Sequence, residues 1–438
     1  EADAQAATEA GAEPAAEAAD PAEAATPAAP APAQPARGAS PLWTGDELEK
    51  AVGGRLADDV GDVTGVSIDS RTVKPGEAFF AIKGERFDGH QFAVAALTAG
   101  ASCAVVARSK LSALQPGRPY LFVSDTLAAL GDAGRFARER ASDLTAIAIT
   151  GSVGKTGTKE TLRHALAPSG AVHASAASHN NHWGVPLTLA RLPRETRFLV
   201  SEIGMNHAGE ITPLTRMVRP DIAIITTVEA VHIENFDSVE GIARAKSEIF
   251  LGLRPGGHAV INADNPHRAI MEAAAEAQRA RIVRFGAAED ADVRLVEARE
   301  EADGSTVTAR VFGDAVTYRL GQPGRHVVSN SLAVLAALSL AGADLQAGIE
   351  TLAAAPAPKG RGEQTVLNLA DGGTALLVDE AYNANPASVR AALAVLARLP
   401  VGAGGRRIAV LGDMLELGED APDYHRALAP DLEAACAD

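Results

Sequence analysis

The stretch LTAIAITGSVGKTGTKETLRHAL, residues 144–166, decides the fold. An apolar run ends at Thr150, a short loop carries Gly151 and Gly154, and Lys155 and Thr156 open a helical pattern. Glycines let backbone amides approach phosphate oxygens. A helix N-terminus adds partial positive charge, Lys155 adds a full one, and the Thr156 hydroxyl can ligate magnesium. The usual phosphate-loop pattern places glycine where this chain has Ile149, so the loop is a GxxGKT variant. The bland alternative is an ordinary glycine-bearing strand–helix turn. GKT at that junction favours nucleotide binding through Gly151, Ser152, Gly154, Lys155 and Thr156.

Working outward, RFLVSEIG, DIAIITTV and HAVINAD are short apolar runs bounded by polar loops, as in buried strands of a parallel sheet. Before them GVSIDSRTV and EAFFAI read as strands, and HQFAVAALTAGA as a helix with a glycine stop. APAPKGRGE is linker-like. After it TALLVDEAYNANP and RRIAVLGDMLELG again read as strands running into loops. The expectation is an α/β protein of three domains at 41–143, 144–356 and 357–438. Residues 1–40 are mainly Ala, Pro and acids, a composition that cannot offset ordering entropy, so they are expected to be a disordered linker to something upstream.

The chain has 438 residues, 47% hydrophobic, and a net charge of -16. That balance disfavours a nucleic-acid binder but not a small phosphate ligand. Cys103 and Cys436 suggest neither a disulfide framework nor a zinc cluster, which fits a reducing cytoplasm. No apolar run approaches the roughly 18–20 residues that span a bilayer.

Ligands of parallel sheets collect at the carboxyl ends of strands. Glu202 and His232 fall near two such ends and could join Thr156 around a divalent metal. Each alone is commonly a solvated strand-end or loop residue. SHNNHWGVPLTL offers Asn180 and Asn181 beside Trp183, where turn chemistry and capping explain asparagine equally well. DEAYNANPAS and GDMLELG have the same ambiguity. In IARAKSEIF, Lys246 shares an apolar helical stripe with Ile242, Ile249 and Phe250, on a helix beginning near Ser238. The bland account is a lysine that snorkels its ammonium to water.

These pieces, in this order, resemble the Mur ligases, the ATP-dependent amide-forming enzymes of peptidoglycan precursor synthesis. The resemblance rests on DSRTVKPGEAFFAIKGERFDGHQF, TGSVGKTGTKE, NNHWGVPLTL, EIGMNHAGEI, TTVEAVHIENFDSVEGIARAKSEIF, GRHVVSNSLAVLAA, KGRGE, DEAYNANPAS and LGDMLELG. DGH, GTKE and YNANP point to the branch that adds D-alanyl-D-alanine to UDP-N-acetylmuramoyl-tripeptide.

The resemblance implies a first domain that holds the uridine nucleotide, a central ATPase, and a Rossmann-like third domain, here expected to be incomplete because the chain stops soon after LGDMLELG. It implies Ser70, Arg71, Asp88 and His90 near the UDP-sugar, and Asn180 and Asn181 in the peptide-substrate site. Asn330 would approach adenine, and Arg361, Asp379, Tyr382 and Asn383 would complete the ATP site. The cofactors implied are ATP and two magnesium ions, held by Thr156, Glu202, His232 and Lys246, the last as a carbamate formed from carbon dioxide. Lys155, Lys246 and His232 would be catalytic. A fusion to another Mur ligase upstream of the linker is conceivable. The chain departs from the family at His326-Val327, commonly His-Asn, and in DEAYNANP, more usually DSYNANP. Another amide ligase of the superfamily, such as the third-residue-adding ligase or folylpolyglutamate synthase, remains open. So does a phosphate-loop kinase or NTPase that forms no amide.

Overall fold

Strand Thr145–Thr150 lies between Ile222–Ile225 and Phe198–Glu202, parallel to both. The computed structural model that shows this describes residues 41–58, 60–84, 86–370 and 372–436. The 1–40 segment expected to be a disordered linker lies outside them. The sheet around Thr145–Thr150 has nine strands, and its order places His258–Asn262, Arg281–Gly286 and Val293–Glu301 beyond Ile222–Ile225, with Val172–Ala174 at the opposite edge. All these neighbours pair in parallel, and Gly304–Val311 and Asp314–Leu320 extend the far edge antiparallel.

The alternation along Thr145–Thr150 explains its central place. Ala146 and Ala148 face one core, and Ile147 and Ile149 face the other. Burying one such isoleucine contributes about 1.5–3 kcal/mol. On the isoleucine face, Lys155–Leu166 packs against Arg325–Leu340, whose middle is buried from Ser331 to Leu338 as expected of an interior helix. On the alanine face, Thr126–Arg140 packs against Gly184–Ala190. A side chain at Gly134 would meet the Pro186 carbonyl at 3.0 Å, so glycine permits that close approach.

A second sheet of five strands is ordered Arg55–Leu56, Tyr120–Val123, Cys103–Ala107, Glu77–Phe80, Gly65–Ser67, and only its first pairing is antiparallel. Buried polar contacts seal it to the nine-stranded sheet's helices. Trp43 Nε1 donates to Ala190 O at 2.9 Å, and Arg140 stacks over the Trp43 ring. Arg191 Nε donates to Val66 O at 2.6 Å. Arg138 donates to Val218 O at 2.7 Å, Ala141 O at 3.0 Å and Arg219 O at 3.1 Å, closing the C-terminal end of helix Ile211–Val218.

Beyond helix Leu345–Thr351 the chain runs irregularly through 355–362 into the antiparallel hairpin Glu363–Asn368 and Thr374–Asp379. Helix Pro386–Arg398 follows, with Asn385 and Ser388 forming a capping box. RRIAVLGDMLELG departs from expectation. Residues 408–415 form no strand, and Val410 is 92% exposed. An apolar run becomes a buried strand only with ladder partners beside it, and among the described residues none pairs with this one.

Arg138→Met should leave two buried carbonyls and one partly exposed one without their donor, so a loss of about 2–4 kcal/mol is expected. A lowered urea midpoint checks this; an unchanged midpoint would show that the arginine contributes nothing to the seam.

Candidate active site

The phosphate loop is shaped by its neighbours. Thr226 Oγ1 donates to Val153 O at 2.6 Å, and a side chain at Gly151 would sit 1.9 Å from the Thr226 hydroxyl oxygen. Ser152 N donates to Thr227 O at 2.9 Å, and the Ser152 hydroxyl exchanges hydrogen bonds with the Glu229 backbone. Ser152 therefore lines the cavity while its hydroxyl holds the loop. Gly154 has φ 84, and a side chain there would meet Asn330 Nδ2 at 2.4 Å. Both glycines are required, each by close approach and by a positive φ that side chains disfavour.

Lys155 arches over this loop, with Nζ donating to Gly151 O at 2.7 Å and Ser152 O at 3.3 Å. Enclosure lowers its ammonium pKa, Glu202 opposes that shift, and Arg361 adds to it. Glu202 is 1% exposed. Its carboxylate accepts from Thr156 Oγ1 at 3.0 Å and Asn180 Nδ2 at 2.8 Å, while Ser178 Oγ lies 3.3 Å from Thr156 Oγ1.

Lys155, Thr156, Asn180, Glu202, His232 and Asn330 share a cavity of about 570 Å³, which Arg361, Tyr382 and Asn383 also line. The Arg361 guanidinium stacks over the Tyr382 ring at 4.3 Å. His232 adopts φ 58 and is hydrogen-bonded through Nδ1 to Glu416. Burial lowers its pKa, Glu416 opposes, and the charges of Lys155 and Lys246 push it down further. Its imidazole thus favours the neutral form that a metal ligand requires.

Several sequence-derived residues lie elsewhere. Lys246 does not line this cavity. It is 2% exposed on helix Val239–Ser247, which Ser238 caps, and among the described residues its ammonium has no hydrogen-bond or ion-pair partner. Burial, reinforced by Lys155, lowers its pKa well below the ordinary lysine value. With only 2% of the residue exposed, little surface remains for the ammonium to snorkel to water. Asn181 turns its Oδ1 to the amides of Trp183 and Gly184, opening helix Gly184–Ala190. Asp379 borders an adjoining hollow, whereas Glu380, passed over in the sequence, lines the main cavity. Burial pushes the Glu380 carboxyl up to about 7, against Arg361 and with Asp379.

Ser70, Arg71, Asp88 and His90 belong to the five-stranded-sheet region and do not line the cavity. Arg71 is exposed and pairs with Asp69 at 2.7 Å. Burial raises the Asp88 carboxyl, but Lys110 and His90 more than offset it and hold it well below the usual carboxylate range. His90 receives the Ala107 amide on Nε2 at 2.9 Å. Asp88 and His90 thereby pin the 88–92 turn against the strand Cys103–Ala107.

Among the described residues no group of three or more His, Cys, Asp and Glu side chains is arranged to hold a metal. This fits magnesium carried by a nucleotide, which takes one or two carboxylates and fills its shell with phosphate oxygens and water. Thr156, Ser178 and Glu202 supply such a donor set beside the loop.

Loop, sheet and cavity together define a phosphate-loop nucleotide-binding α/β protein. The chain belongs to the Mur ligase family. The family's middle domain matches residues 149–338, its catalytic domain 62–136, and the Mur ligase glutamate ligase domain 364–438. The chain is 36% identical over 374 residues to the UDP-N-acetylmuramoyl-tripeptide–D-alanyl-D-alanine ligase of Escherichia coli K12, covering 84% of this chain and 79% of that one. It is also similar to a crystal structure of MurF from Acinetobacter baumannii (TM-score 0.78, 33% identity, 89% of this chain and 83% of that one). A third relative is the MurF ligase of Thermotoga maritima in complex with ADP (TM-score 0.69, 27% identity, 84% and 82%). Folylpolyglutamate synthase of L. casei is 16% identical at TM-score 0.52, a likeness of fold alone.

Gly154→Ala should weaken ADP binding at least about tenfold, since the methyl group collides with Asn330 and the backbone is left-handed. Calorimetric titration with ADP checks this, and unchanged affinity would place the nucleotide elsewhere.

Proposed function

We propose that this chain is an ATP-dependent ligase that joins D-alanyl-D-alanine to UDP-N-acetylmuramoyl-tripeptide, giving the UDP-muramoyl-pentapeptide. The observation that carries this reading is the Thr156–Glu202 pair set 3.0 Å apart beside the phosphate loop, in a cavity that Lys155 also lines. It is supported by the 36% identity to the Escherichia coli ligase of that name. Its substrates assign it to the bacterial cytoplasm.

The residues divide the work as follows. Segment 41–143 takes the uridine nucleotide through Ser70 and Arg71, on a framework that Asp88 and His90 hold. Segment 144–356 carries ATP, and 357–438 closes the site with Arg361, Tyr382 and Asn383. Asp379 acts behind them, and Asn330 meets the adenine side. Asn180 and Asn181 line the tripeptide path. Thr156 and Glu202 would hold one magnesium ion, and His232 with Lys246 a second. Magnesium, when bound, neutralises phosphate charge.

A carboxylate is a poor electrophile. Transfer of the ATP γ-phosphoryl group to the tripeptide carboxylate gives an acyl phosphate and ADP. The dipeptide amine then attacks, an amide forms, and phosphate and a proton leave. Lys155 is already held over the loop, so its charge meets the transferring group without reorganisation. The buried Lys246 favours the neutral amine. That amine can add to carbon dioxide, forming an N–C bond and releasing a proton. The resulting carbamate reverses the residue's sign and makes it a ligand.

Phosphate release should require both the UDP-muramoyl tripeptide and D-alanyl-D-alanine. Release without the dipeptide would favour a simple NTPase, and release with another amino acid a different ligase. Lys155→Ala should cut ADP formation by at least about 10²–10³. Lys246→Arg should be inactive although the charge is kept, and bicarbonate depletion should slow the native enzyme; a fully active Lys246→Arg protein would end the carbamate account.

A further inference from the structure

Lys159 takes no part in the steps above, yet its side chain is fully buried one turn beyond Lys155. Its Nζ donates to Ser175 O at 2.8 Å and to Ala177 O, and lies 3.0 Å from Glu160 Oε1 and 4.0 Å from Glu202 Oε2. Placing an ammonium in the interior is costly unless its donors are satisfied. Here they are satisfied by Glu160 and by one turn of chain, and that turn leads directly to the site. Ala177 adopts φ 45, a backbone that residues with a Cβ seldom hold without outside support. The next residue, Ser178, meets Thr156, and Asn180 donates to Glu202. The far end of the turn is tied to the same strand. The Glu202 amide donates to Ser175 Oγ at 3.1 Å, and the Ser175 amide donates to Val200 O at 3.1 Å.

Resting on the nucleotide–cation reading of this cavity, we infer that Lys159 is a positioning residue. It ties the Ser175–Ser178 turn to the phosphate-loop helix, so that Thr156, Ser178 and Glu202 stand ready for a divalent cation before any ligand arrives. An apolar side chain at 159 would leave two carbonyls without their donor, and Glu202 would lose an opposite charge 4.0 Å away. The phosphate-binding amides, which are set by Gly151, Gly154 and Thr226, would stay in place.

The test is ADP binding by the full chain, measured calorimetrically with and without Mg2+. Native protein should bind ADP more tightly when Mg2+ is present. Lys159→Met should keep the Mg2+-free affinity within about twofold and lose at least about fivefold of the Mg2+ gain. Glu202→Gln should lose it too, and the double variant should lose no more than either single one, because both act through one site. Lys159→Arg keeps the charge and supports the fold if Lys159→Met does not. Its planar head cannot reproduce the ammonium's contacts, so the Mg2+ gain should again fall. Amides of 175–181 should exchange faster in both variants at 159. A native Mg2+ gain in Lys159→Met, additive losses in the double variant, or full rescue by arginine would each overturn the inference. Failure of the native chain to bind ADP would instead overturn the nucleotide-site reading.

Discussion

One buried carboxylate among buried lysines governs the site. Glu202 is 1% exposed, Lys159 is 0% and Lys246 is 2%, while Lys155 arches over the loop beside them. In a chain of net charge -16, this small region gathers lysines around the carboxylate. Solvent screens surface charges more than these, so the buried groups set what the cavity accepts. Phosphate oxygens suit it, and so does a cation that reaches Glu202 with them. The rest of the architecture keeps that group dry: two cores on the two faces of Thr145–Thr150, and a helix from 325 to 340 laid against the loop.

How much could be read beforehand depends on whether a signal is local. The phosphate loop was legible because glycine spacing, a strand end and a helix start fall within a few residues. Glu202 and His232 were legible as strand-end positions, but their meeting in one cavity is a product of sheet order. Lys246 is legible as a lysine in an apolar stripe, and the fold buries it to 2% exposure. Lys159 carries the same signal, three and seven residues before Leu162 and Leu166, but it lies in the polar first turns of the helix, where a lysine is unremarkable. Asp379 and Glu380 could not be separated in advance, since neighbouring residues at a strand end differ only in direction.

The third segment shows the converse. An apolar run such as Ile408 to Leu411 specifies a strand only in company, and pattern alone cannot supply a neighbour. What this segment does bring is a set of side chains. Arg361 and Tyr382 stack at the cavity wall, and Glu416 meets His232, both of them in left-handed backbone. Met414 and Leu417 bury beside Ile233, so the contact has an apolar footing as well.

The seam between the five-stranded sheet and its neighbour has a different character. Arg138 and Arg191 end on backbone carbonyls, and Trp43 does the same through its indole. Carbonyls neither titrate nor attract counterions. These carbonyl contacts do not weaken with salt as ion pairs do, and they stand beside one charge-held contact, Glu47 with Arg140 and Arg194, so the seam keeps most of its hold through conditions that loosen carboxylate pairs.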